Sequence, residues 1–205
     1  MNADVPGLVI FSSGTTGLPK GVVLPRRCFS GEYAAQSSNP GSASLNYRPG
    51  HWIGGAGSLI RPVLSGRELY TTRVKSGKAR AEAVLEAFRN HRITHATFSP
   101  ELLRLMKELL IDQKGDFSEE ERRKCASYFE GLSTINCSAG MLESSTKDFW
   151  TDLTGLPFKN VFATTELGGA ALQGISAIQV STEFKASDYS QKTNVCTDRV
   201  RLGPL

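Results

Sequence analysis

Ten consecutive residues, Ser12-Ser13-Gly14-Thr15-Thr16-Gly17-Leu18-Pro19-Lys20-Gly21, gather four hydroxyls, three glycines and one lysine. Glycines let backbone N–H groups approach a ligand closely and tolerate positive φ. Consecutive N–H groups form a concave nest for an anion. Hydroxyls add donors, and Lys20 adds a mobile point charge suited to a phosphate. Residues of these types in this order can cradle a polyphosphate. Far downstream, Asn160-Val161-Phe162-Ala163-Thr164-Thr165-Glu166 ends on two hydroxyls and a carboxylate. Such a carboxylate is a hard oxygen ligand for Mg²⁺, which takes one or two carboxylates together with phosphate oxygens.

The first run is not a Walker A loop, which needs G-x-x-x-x-G-K-[ST]. Lys20 follows Pro19, and Gly21 stands where Ser or Thr is required. G-x-G-x-x-G is also absent. Read alone, a Gly-Ser-Pro loop is a surface hairpin rich in turn formers. The ordered string, however, closely resembles the S-G-T-T-G-x-P-K-G-V signature of the adenylate-forming superfamily, which includes acyl-CoA synthetases, peptide-synthetase adenylation domains and firefly-type luciferases. Every position is met through Val22. The second run resembles that family's N-x-Y-G-x-T-E, with Phe162 for the usual Tyr and Ala163 for the usual Gly.

Two looser matches accompany them. Cys137-Ser138-Ala139-Gly140-Met141-Leu142 resembles the small-residue turn whose backbone lies along the adenine; the alternative is a strand-to-helix turn kept small for packing. Arg48-Pro49-Gly50-His51-Trp52-Ile53-Gly54-Gly55 resembles the region that supplies an aromatic or His to the acyl pocket. Its hydrophobic lead-in is missing, and a buried structural His–Trp pair is the alternative.

The resemblance implies an acid–thiol ligase using ATP and Mg²⁺, with a small-molecule carboxylate and CoA as co-substrates, in fatty acid metabolism. Ser12, Ser13, Thr15, Thr16 and Lys20 would hold the β- and γ-phosphates, and Gly14, Gly17 and Gly21 would shape the loop. Ser138, Ala139 and Gly140 would line the adenine, with Thr164 beside Thr165, which would contact the α-phosphate. Glu166 would bind Mg²⁺. His51, Trp52 and Gly54 would line the acyl pocket. Lys20, Thr165 and Glu166 are the catalytic candidates, acting by positioning and by stabilising the charge of the leaving pyrophosphate. Arg61 is a further candidate for a second carboxylate on a diacid, against the general expectation of a surface or structural Arg.

These residues need elements to position them. Apolar runs Leu8-Val9-Ile10-Phe11 and Val22-Val23-Leu24 make residues 7–24 two short strands around the loop. A short helix follows Pro25, and residues 26–50 carry no clear pattern. Arg67–Thr72 reads as a strand. Residues 78–91 form an amphipathic helix, with Ala81, Val84, Leu85 and Phe88 on one face. Arg92–Phe98 reads as a strand. Ser99 caps the next helix with Pro100 in its first turn, and Leu102, Leu105, Met106 and Leu109 form its apolar face. Ser118 and Glu121 make a capping box. Thr134–Cys137 is a strand, residues 143–154 are a helix ended by Gly155, and Lys159–Phe162 is a strand that delivers Thr165 and Glu166. Helix and strand alternate, which predicts a layered α/β domain with a largely parallel sheet and ligand loops at strand C-terminal ends. Thr16, Ser138 and Glu166 then converge on one rim, while His91 and His95 are structural.

The chain's 205 residues suffice for one good core or two small ones. Hydrophobic content is 40% and charged content 21%, as in a soluble globular protein. Net charge is +4, from 24 basic and 20 acidic residues, interspersed and without a basic stripe, so nucleic acid is not an expected partner. Cys28, Cys125, Cys137 and Cys196 are scattered, with no metal spacing, and read as reduced intracellular thiols. No apolar run approaches a membrane span, no leader is evident, and the cytoplasm is the default location. Oligomeric state is not readable.

The resemblance covers residues 7–172, a partial AMP-binding domain, and fades over 173–205, a polar divergent tail. The family's Y-x-x-G-D segment, whose Asp holds the ribose, is not found: Gly115-Asp116 lies upstream of Glu166, and Tyr189 is followed by Ser-Gln. The C-terminal domain's Lys is not found either. Arg26 stands where many relatives have His. The expectation is a chain inactive by itself in thioester formation, either part of a working ligase or a non-catalytic nucleotide-binding remnant.

Overall fold

The computed structural model describes residues 4–13, 17–30, 41–73, 76–111 and 118–176, with backbone alone for Ser30 and residues 169–176. Strand β1 (Pro6–Ser12) pairs antiparallel with β2 (Lys20–Pro25), and Ser12 faces Lys20 at the last rung. The two expected strands around the first motif are therefore a hairpin. Alternation sends Val22 and Leu24 inward against Phe29 of the short α1 (Arg27–Ser30), with Ile53 and Ile60 packed alongside. Val9, Phe11 and Val23 point outward.

Strand β3 (Ala43–Asn46) lies in the stretch where no pattern was readable. It pairs in parallel with β4 (Glu68–Thr71), and α2 (Ile53–Leu64) crosses between them. Helix α2 was not expected either: three glycines and Pro62 give it poor intrinsic propensity. Packing decides it. A β-carbon on Gly55 would sit 1.9 Å from the Pro49 carbonyl oxygen, so only glycine lets the helix start against that turn.

Helix α3 (Gly77–Asn90) buries Ala81, Val84, Leu85 and Phe88, the expected face. The following strand is shorter than expected. Only Thr97–Phe98 (β5) is regular, because the Thr94 and His95 amides both converge on the Ala43 carbonyl at 2.9 Å, leaving a single bridge between Ser44 and His95. That bridge links β3 to the segment leading into β5. In α4 (Pro100–Leu110) Ser99 caps through the Leu102 amide with Pro100 at the start. Its buried residues are Leu102, Leu103, Met106 and Leu110, with Leu105 and Leu109 only partly covered. The expected face is thus rotated, because α4 is wedged between α3 and the helix Ser144–Thr154, and its core-facing arc is shared between them. The capping box of α5 (Glu119–Ser127) has both hydrogen bonds.

Strand β6 (Ile135–Ser138), α6 (Ser144–Thr154), ended by left-handed Gly155, β7 (Phe158–Thr164) and β8 (Gly169–Ser176) complete the described fold. Strands β5, β6 and β7 run parallel, and β8 returns antiparallel on the edge. The main core lies under α3, α4 and α6, where Phe88, Phe98, Phe129 and Trp150 stack edge to face and offset. His91 stacks on Tyr70 at 4.2 Å, and His95 Nδ1 lies 2.7 Å from Thr94 Oγ1; both side chains are exposed. Gly14, Thr15, Thr16 and residues 177–205, most of the expected tail, lie outside the described residues.

Candidate functional site

Parallel strands place their C-terminal ends on one rim. In this fold the rim carries Tyr47 and Arg48 after β3, Ser99 after β5, Ser138–Gly140 at the end of β6, and Thr164–Glu166 at the end of β7. Ser138 pairs with Val161, so β7 projects past β6 before it turns.

The turn after β7 is tight. Thr164 faces Gly169 across it, the Gly168 amide donates to the Thr165 carbonyl at 3.0 Å, and the Leu167 amide donates to Thr164 Oγ1 at 3.3 Å. Thr164 therefore holds the turn itself. Glu166 stands exposed at its crest with no ion-pair partner among the described residues. Gly168 adopts φ 71°, and a β-carbon there would lie 2.8 Å from Cys28 Sγ and 3.9 Å from Leu24. This close approach seats the turn against β2 and α1. The hairpin and the Thr165–Glu166 turn, well separated in sequence, are thereby neighbours.

At the hairpin, Ser12 Oγ lies 3.5 Å from the Lys20 carbonyl, and Ser13, Gly17, Lys20 and Gly21 are all exposed. Nothing lies within 4 Å of a β-carbon built on Gly17, so packing within the described chain does not demand glycine there.

The turn after β6 is strained. Ala139 sits at φ 72° and Gly140 at φ 152°. A left-handed backbone costs a non-glycine residue roughly 1–2 kcal/mol, and such outliers cluster at binding sites. Gly140 approaches the first turn of α4, with Pro100 Cγ 3.3 Å from its virtual β-carbon. Ser138 is buried, and its Oγ accepts from Arg48 Nη2 at 3.1 Å.

His51 and Trp52 make an edge contact at 6.0 Å, and Trp52 is 53% exposed. The alternative of a buried structural pair is excluded. A β-carbon on Gly54 would meet Arg48 Nη1 at 2.7 Å, so a side chain there would displace the guanidinium. Arg61 projects from α2 and donates through Nη2 to the Gly168 carbonyl at 3.5 Å, so it braces the Glu166 turn. Sequence reasoning missed the placement of Arg48, although its number lies in the quoted Arg48–Gly55 run; its link to Ser138 spans 90 residues and leaves no local signal.

Among the described residues no group of three or more His, Cys, Asp or Glu could hold a metal alone. An exposed carboxylate without a protein counter-ion fits a cation that takes its remaining ligands from water and phosphate. No described helix is long and apolar enough to cross a membrane.

A family model for AMP-binding enzymes matches residues 1–199. The acyl-CoA ligase oryP of Aspergillus oryzae is 27% identical over 194 residues, covering 94% of this chain and 34% of that protein. The chain thus spans about a third of the length of this curated relative. Among solved structures, o-succinylbenzoate CoA synthetase (MenE) of Bacillus subtilis, in complex with ATP and magnesium ion, superposes with a TM-score of 0.63 at 19% identity, over 84% of this chain and 33% of that one. The NpsA N-terminal subdomain of Klebsiella oxytoca, in complex with 3-hydroxybenzoyl-AMSN, gives 0.66 at 16% identity, over 86% and 41%. At these identities the likeness is one of fold.

Proposed function

Because this chain belongs to the AMP-binding enzyme family, we propose that it carries the nucleotide-binding half-site of an ATP-dependent acyl-CoA ligase. The observation that supports this reading best is the seating of the Thr165–Glu166 turn, through Gly168, against the hairpin of the hydroxyl-rich loop. Gly168 meets Leu24 and Cys28 near the open end of that hairpin, so the turn and the hairpin that carries the loop pack together.

In this reading the 12–21 loop takes the β- and γ-phosphates through Ser12, Ser13, Thr15, Thr16 and backbone amides, with Lys20 as mobile cation and Gly14, Gly17 and Gly21 as its flexible points. Thr165 donates to the α-phosphate beside Thr164. Glu166 is the protein ligand for Mg²⁺, which would supply charge neutralisation to the phosphates. The strained Ser138-Ala139-Gly140 turn presents backbone to the adenine, and the exposed His51 and Trp52 with Gly54 border the acid. A substrate carboxylate oxygen would bond to the α-phosphorus as the bond to the pyrophosphate oxygen breaks. The acyl group would then pass to the CoA sulfur as AMP leaves. Residues 1–172 form the partial nucleotide-binding domain in this scheme.

The test is binding of ATP–Mg²⁺ to the 205-residue chain, followed by thermal unfolding across ligand concentration. Saturable stabilisation is expected, about 2.7 kcal/mol at a hundredfold excess over Kd. No shift with millimolar ATP–Mg²⁺ would defeat the reading.

A further inference from the structure

Arg48 is held more tightly than a loop arginine needs to be. The buried Asn46 side chain clamps its backbone on both sides: Oδ1 accepts from the Arg48 amide, and Nδ2 donates to its carbonyl, each at 3.1 Å. Tyr47, also buried, donates its hydroxyl to the Thr97 carbonyl at 2.9 Å and accepts from Arg48 Nε at 3.3 Å. Nη2 reaches Ser138 Oγ at 3.1 Å. The guanidinium lies 5.5 Å from the Tyr47 ring centroid, and its Nη1 edge fills the space that Gly54 leaves open. Every one of these partners is neutral.

A guanidinium has more N–H donors than these two hydroxyls occupy. It forms no ion pair with a carboxylate among the described residues. A half-buried, pre-oriented cation with unused donors is suited to a planar carboxylate, which it grips bidentately. Its location specifies the ligand further. Arg48 spans from the strained turn after β6 to the loop bearing His51 and Trp52, so it stands at the junction of the two ligand halves proposed above. We infer that Arg48 is the anchor for a carboxylate of the acid substrate. The anchor rests on the functional reading above only for the word substrate; the recognition of a carboxylate stands on the geometry of Arg48 itself.

The carboxylate has two sources: the group that reacts, or a second one on a dicarboxylic acid. Binding of benzoate against benzamide to the 205-residue chain reports the first, and succinate against succinamate the second. We expect at least a tenfold preference for the acid over its amide in one pair, the order of a hydrogen bond to a charged group (roughly tenfold to a hundredfold). Arg48→Met should abolish that preference, and Arg48→Lys should restore part of it. In the unmutated chain the Arg48 Nε–H resonance should move with the acid and not with the amide, a readout that needs no variant to fold. Equal binding of acid and amide, an unmoved resonance, or a preference that survives Arg48→Met would overturn the inference. A parallel titration with ATP–Mg²⁺ separates the two ideas: Arg48-dependent acid recognition without nucleotide binding faults the functional reading and leaves the anchor standing.

Discussion

Arg61 Nη2 donates to the Gly168 carbonyl at 3.5 Å, so the helix crossing β3 and β4 braces the turn that carries Glu166. Gly168 meets Cys28 and Leu24 on its other side. The turn is thus gripped between two elements, and its geometry depends on having no side chain at position 168.

Gly168→Ala should therefore destabilise the chain and displace Glu166. The left-handed backbone alone costs roughly 1–2 kcal/mol for alanine, and the 2.8 Å approach to Cys28 adds to it. Urea unfolding checks the stability loss, and the double variant Gly168→Ala with Cys28→Ala should recover part of it. Full stability in the single variant would show that the turn is not held as described.

Lys20→Ala should shrink the thermal shift given by ATP–Mg²⁺ while leaving the stability of the unliganded chain within about 0.5 kcal/mol, as for surface substitutions generally. Lys20 is exposed at the hairpin's last rung, opposite Ser12, so its loss removes charge and little packing. An undiminished shift would reduce the loop to a hairpin turn.

Glu166→Gln keeps the size of the side chain and removes its charge. In titrations of the chain with ATP, the Mg²⁺ concentration needed for half-maximal stabilisation should rise, and excess Mg²⁺ should recover much of the effect. An unaltered Mg²⁺ requirement would leave Glu166 as a strand-end carboxylate with no metal role.

Trp150 is fully buried and donates Nε1–H to the Leu103 carbonyl at 3.1 Å. It also meets Phe129 edge to face at 5.2 Å. Trp150→Ala should cost about 3–5 kcal/mol, the usual range for deleting a buried aromatic, read from the urea midpoint at constant slope. A loss below 1 kcal/mol would mean that this core closes over the gap.

Burial pushes the Cys137 thiol up from 9.0 to about 11, with the Arg48 guanidinium opposing only part of that. A thiol raised in the folded state keeps its proton where the unfolded chain has lost it. Stability should therefore fall as pH rises from about 9 to about 11 and be unaffected by this group below that window. Cys137→Ala should flatten this part of the stability–pH curve relative to the unmutated chain. Parallel curves would place the alkaline loss elsewhere.

Much of the local structure was legible because local physics sets it. The hairpin around residues 12–20 followed from apolar runs flanking turn formers. Ser99, Pro100, Ser118, Glu121 and Gly155 mark helix ends through groups that satisfy orphan amides or accept a left-handed backbone. The apolar stripe of α3 had one helix face to fill and filled it. The motif order also sufficed to indicate the family. What only the tertiary structure decided depends on partners distant in sequence. Helix α2 forms despite Gly54, Gly55, Gly57 and Pro62 because Gly55 packs on the Pro49 carbonyl. Strand β3 is recognised by its ladder to β4 and by the bridge from Ser44 to His95. The face of α4 is set by two neighbouring helices, and periodicity alone cannot choose among its leucines. The meeting of Arg48 with Ser138, 90 residues apart, exists only once parallel strands bring their C-terminal ends to one rim.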